Sequence, residues 1–219
     1  MTIACLHTAA SNITIFDQAA ASLGMAPTEL SHLVMPHLLA EAELSGGMTS
    51  QQQMRLTALL HSLTPWFDAI LITCSTLGPV ADNFHNEANP CVVWRTDGML
   101  ADEVHRRAGK SVVLCAAEST LAATTALFCP PENAGEQPEV RLIPDAWATY
   151  KSGDLLGYRR LIKDAVEQAR KQGAANVALA QVSMTIAAQD FSEDQRPLTS
   201  PQLALRCARN RSGLSQPGQ

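Results

Sequence analysis

Ala69-Ile70-Leu71-Ile72-Thr73-Cys74-Ser75-Thr76-Leu77-Gly78-Pro79 is the stretch whose reading decides the fold. Its first five residues are near-continuously apolar and do not alternate with polar ones. That pattern suits a short strand buried on both faces, as in parallel sheets. Small polar residues, Gly and Pro then break the run. Six further runs have the same character, at 2–6, 30–35, 91–94, 111–115, 140–143 and 177–180. Helical stretches separate them, at 13–22, 50–63, 98–107, 120–128 and 157–172. Strands alternating with helices predict an α/β fold.

The order divides the chain into two halves, 1–95 and 96–205. A C-terminal helix is free to pack back on the first, and a disordered tail is expected at 206–219. Pro130-Pro131-Glu132-Asn133-Ala134-Gly135-Glu136 reads as a loop. The 219 residues are 46% hydrophobic and 17% charged, against about 25% charged in an average domain. This composition sustains a core and excludes long disorder. The net charge is -5 and no dense Lys/Arg run occurs, so a nucleic-acid partner is not expected. The apolar stretches at 70–73 and 177–188 fall short of the roughly 20 residues of a membrane helix. The first residues lack the basic region of a secretory signal. Six cysteines are spread widely, with no C-x-x-C pair and no Cys/His cluster at zinc spacing. A reducing cytoplasm is the expected setting.

Ligands of open α/β sheets bind beyond the carboxyl ends of the strands. Those ends carry His7-Thr8-Ala9-Ala10-Ser11-Asn12, Pro36-His37, Cys74-Ser75-Thr76, Ala116-Ala117-Glu118-Ser119-Thr120 and Gln181-Val182-Ser183-Met184. They are rich in hydroxyls and lack Lys and Arg. Cys74 has two readings: a thiol acidified at a helix start, with free N–H groups to hold a carboxylate, or a buried packing cysteine. Cys115, nearer a strand end than the other four, is the second candidate thiol. His7 and His85 are proton shuttles or packed imidazoles. Asp97 reads as an N-cap, and Trp94, Trp147 and Tyr150 as packing residues. No P-loop, G-x-G-x-x-G or G-x-S-x-G motif is present, so no ATP, NAD or metal is called for.

The segments 71–78, 114–121 and 177–184, in that order and spacing, resemble the aspartate/glutamate racemase superfamily, which includes hydantoin racemases, arylmalonate decarboxylases and maleate isomerases. The resemblance runs from the first strand to about residue 205. It implies two similar α/β domains with pseudo-twofold symmetry, a cleft between them, and no cofactor. It further implies a cysteine from each half acting on opposite faces of a substrate α-carbon. Cys74 matches the first cysteine. Gln181 stands at the second, where relatives tend to carry Gly-Cys-Thr or Gly-Cys-Ala, and glutamine is no base at neutral pH. The substrate-binding positions implied are Thr8, Ser11, Asn12, Ser75, Thr76, Ala117, Ser119, Thr120 and Ser183. The expected ligand is a small amino acid or dicarboxylate, and a homodimer is the expected assembly. The function implied is cofactor-independent, isomerase- or racemase-like thiol chemistry in the cytoplasm. The alternatives are a one-cysteine decarboxylase, cis–trans isomerase or lyase, or a non-catalytic carboxylate-binding protein.

Overall fold

The computed structural model describes residues 1–84, 90–131 and 137–213. The chain divides into two compact units, residues 1–99 with 201–219, and residues 100–200. The helix α5 (Thr96–Arg106) spans the division.

The first unit holds β1 (Ile3–His7), α1 (Ser11–Ser22), β2 (Leu30–Val34), α2 (Pro36–Leu44), α3 (Ser50–Leu63), β3 (Ala69–Ile72), α4 (Pro79–Asp82) and β4 (Val92–Arg95). Its parallel strands lie in the order β2-β1-β3-β4. Pleating sends alternate residues to opposite faces. Ala4, Leu6, Ile70 and Ile72 therefore share a core with Leu56 and Leu60 of α3. Thr49 starts α3 with a capping box: its hydroxyl accepts from Gln52 N–H, while Gln52 Oε1 accepts from Thr49 N–H.

The second unit holds β5 (Ser111–Cys115), α6 (Glu118–Phe128), β6 (Glu139–Leu142), α7 (Ala146–Lys151), α8 (Leu155–Lys171), β7 (Asn176–Leu179), α9 (Thr185–Ala188) and β8 (Leu198–Thr199). The order β6-β5-β7-β8 repeats that of the first sheet, and all pairs are again parallel. Asp154 caps α8 by accepting from Gly157 N–H. Tyr158, Ile162, Val166 and Ala169 then present one buried stripe to the sheet.

The α/β class and the seven expected strands are present. An eighth, β8, has only two residues, too few to show a pattern. The expected tail needs correction: α10 (Ser200–Gly213) makes residues 206–213 helical. Ala204, Leu205 and Ala208 are buried in it. Gln202 donates to the Ser22 hydroxyl at 2.7 Å, and Arg209 to the Leu23 carbonyl at 2.7 Å. Among the described residues, no helix is long and apolar enough to cross a membrane.

Candidate active site

Cys74 begins a tight turn beyond β3. Its carbonyl accepts from the N–H groups of Leu77 at 3.1 Å and Gly78 at 2.8 Å. The next helix, α4, starts only at Pro79 and has four residues. Cys74 therefore does not sit at the start of a helix, and no helix dipole acidifies it. Burial pushes its thiol up from the ordinary value. The Thr8 side chain, the Leu77 and Thr76 N–H groups and the Thr76 hydroxyl oppose that rise. The resting group is a thiol whose conjugate base has donors already in place.

Arg95 backs this turn. An added Cβ on Gly78 would lie 2.8 Å from Arg95 Nε. The buried guanidinium donates to Asp97 at 2.7 and 3.0 Å and to Asp82 at 2.8 Å. Asp97 is thus an ion-pair partner inside the first turn of α5, correcting its reading as an N-cap.

Thr8 and Ser75 are buried, Thr76 is partly buried, and Ser11 is exposed at the first position of α1. Asn12 is buried, and its Oδ1 has no hydrogen-bond partner among the described residues. That oxygen faces inward at the start of α1, close in sequence to Thr8.

In the second unit, both polar atoms of Gln181 are engaged. Its Oε1 accepts from Ala116 N–H at 2.6 Å, and its Nε2 donates to the Thr120 hydroxyl at 2.8 Å. Thr120 in turn donates to the Ala117 carbonyl at 2.8 Å. The Gln181 and Thr124 side chains also lie against the Cys115 sulfur, whose thiol burial pushes up. Ala117 precedes α6 and Ser119 is exposed in its first turn. Ser183 pairs with the buried Tyr158 hydroxyl at 3.0 Å. The structure thus groups Thr8 and Thr76 around Cys74, and Thr120 with Gln181. Cys115 and Thr124 join the second group, and Tyr158 pairs separately with Ser183; nothing local in the sequence marks Thr124 or Tyr158.

His7 is wholly buried. Its Nδ1 lies 2.8 Å from the Thr73 hydroxyl, which donates its own proton to the Leu6 carbonyl at 3.0 Å. Thr73 must therefore accept, and His7 donates from Nδ1. His7 Nε2 is then the acceptor for His32 Nδ1–H at 2.8 Å, and His32 Nε2 lies 3.1 Å from the Asp17 carboxylate. Burial and the neighbouring His32 push the His7 imidazole down to about 4, with Asp17 partly opposing them. His7 is a packed, neutral imidazole at neutral pH. Trp147 and Tyr150 stack on each other at 5.2 Å, as packing residues do. His85 and residues 132–136 of the expected loop lie outside the described residues.

Solved structures share this fold. An aspartate racemase from Picrophilus torridus superposes with a TM-score of 0.71 at 14% identity, over 97% of this chain and 95% of that one. Glutamate racemase isoform RacE1 from Bacillus anthracis gives 0.67 at 12% identity, over 98% and 82%. An allantoin racemase from Pseudomonas fluorescens gives 0.62 at 11% identity, over 100% and 94%. The chain shares the α/β fold of these aspartate, glutamate and allantoin racemases. No family model and no curated protein matches its sequence.

Proposed function

We propose that the chain is a cofactor-independent, racemase- or isomerase-like enzyme acting beside the carboxylate of a small amino acid or dicarboxylic acid. Cys74 is the reacting group. The observation that carries this reading is the Cys74 turn, a protonated thiol already provided with donors for its thiolate. The thiol gives its proton to a carbanion or enolate at the substrate α-carbon. The thiolate left behind is then held by the donors of Thr8, Thr76 and Leu77.

The engagement of Gln181 favours one-faced chemistry over two-thiol racemisation. A glutamine amide is neither an acid nor a base at neutral pH, so it neither removes nor returns a proton. Decarboxylation with protonation on one face, or double-bond isomerisation, fits a single thiol. In this reading Ser11, Asn12 and Ser75 of the first unit orient the carboxylate. The test is solvent-deuterium exchange by mass spectrometry over small carboxylates, amino acids, hydantoins, maleate and arylmalonates. Wild type is run beside Cys74→Ala, with chiral analysis of the products. Label that depends on Cys74 and enters one face supports the reading. Exchange that survives Cys74→Ala overturns it, and equal label in both enantiomers restores racemisation. Ligand binding without any exchange favours a carboxylate-binding protein.

A further inference from the structure

A second cluster of reactive side chains lies in the first unit, and the Cys74 chemistry does not use it. Cys5 and His7 are two residues apart on β1, so pleating puts both on one face. The parallel register pairs His32 of β2 with Cys5. The His32 ring stacks on the His7 ring at 5.1 Å. One donor atom from each of the three residues lies within 4.8 Å of the other two.

The outward nitrogens of both rings are already anchored. His7 Nδ1–H is held by Thr73, and His32 Nε2 lies beside the Asp17 carboxylate at 3.1 Å. His7 Nε2 and His32 Nδ1 are left facing each other, 2.8 Å apart. Metal-binding histidines have this arrangement, with one nitrogen on the ion and the other N–H given to a carboxylate or another oxygen.

We propose that Cys5, His7 and His32 bind one transition-metal ion of the zinc class, with Asp17 and Thr73 as outer supports. A thiolate with two imidazoles selects such ions over magnesium or calcium. Three protein ligands leave a fourth tetrahedral position for water. The His32 side chain is 15% exposed, and it gives the ion a route inward. On binding, the Cys5 S–H bond breaks as the sulfur–metal bond forms. The single His32 ring proton then sits on Nε2, toward Asp17, so only the Cys5 proton passes to solvent, without any change of oxidation state. The facing nitrogens separate to about 3.3 Å, the spacing set by metal–nitrogen bonds of about 2.0 Å at a tetrahedral angle.

The test uses the full chain, stripped with a chelator and titrated with Co²⁺. The expected result is one equivalent bound, with sulfur-to-cobalt charge-transfer absorption and the d–d bands of a four-coordinate ion, displaced by Zn²⁺. Cys5→Ser abolishes the charge-transfer band. Asp17→Asn alters an exposed carboxylate, leaves the far-UV circular dichroism unchanged and weakens binding about 10–100-fold. Cys74→Ser changes neither spectrum nor affinity. Absence of saturable binding to wild type overturns the proposal. So does charge transfer that survives Cys5→Ser or disappears in Cys74→Ser, or full affinity in Asp17→Asn. No readout depends on turnover, so the outcome is independent of the function proposed for Cys74.

Discussion

Gln181 donates to the Thr120 hydroxyl at 2.8 Å while its carbonyl oxygen receives the Ala116 N–H. One side chain therefore ties the end of β7 to the loop after β5 and to the first turn of α6. The residue standing where the resemblance puts a second thiol is a strap. It fixes the backbone around Ala116 and Ala117.

Gln181→Leu keeps the bulk and removes both polar atoms. The Ala116 N–H then loses its partner in a buried place, at a cost of about 1–3 kcal/mol. For a chain of this size the melting temperature should fall by about 2–12 °C. Differential scanning calorimetry of the variant beside wild type measures this. An unchanged melting temperature would show that the strap carries no stability.

Because burial holds the Cys74 proton on, this thiol should react slowly with iodoacetamide at pH 7 and faster as pH rises into the alkaline range. Thr8→Val removes one donor to the sulfur and should shift that rise to still higher pH. Peptide mapping of alkylated Cys74 across a pH series gives the profile. Rapid labelling at pH 7 would contradict the balance of burial and donors described here.

Gly78 and Arg95 touch so closely that Gly78→Ala should force the guanidinium aside. Overpacking of this kind costs about 1–3 kcal/mol, and the displaced turn should also lower Cys74-dependent exchange. Arg95→Leu should cost more, about 3–5 kcal/mol, because it leaves Asp97 buried without its partner. Urea denaturation of both variants orders the two effects.

The His7 imidazole has its folded value near 4 and an unfolded value of about 6.5. Between those limits the unfolded chain binds more protons than the folded one. The stability His7 contributes is therefore fully present above pH 6.5 and is lost as pH falls to about 4. The loss amounts to about 3 kcal/mol. His7→Gln should flatten the dependence of stability on pH in that window. Denaturant titrations of metal-stripped protein at pH 4.5, 5.5 and 6.5 make the comparison.

The strands were legible because runs such as Ile70-Leu71-Ile72 declare burial on both faces. The short helices α2 and α7 are not legible in the sequence, since nine and six residues display little periodicity. The Cys74 turn was legible from its small polar residues. The direction of its thiol shift was not, because that depends on tertiary burial and on where the next helix begins. The grouping of Cys5, His7 and His32 was hidden for another reason. Cys5 and His7 share a face by local pleating, but strand register brings His32 beside them from a separate stretch of chain. No spacing rule in one sequence encodes that register.

The return of α10 to the first unit sets an order of assembly during translation. The ribosome completes all of residues 100–200 before it makes the helix that bonds to Ser22 and Leu23. Until then the surfaces that receive Ala204, Leu205 and Ala208 stay uncovered on the nascent chain. The first unit is thus the first to be synthesised and the last to be finished, with the whole second unit acting as an insertion within it.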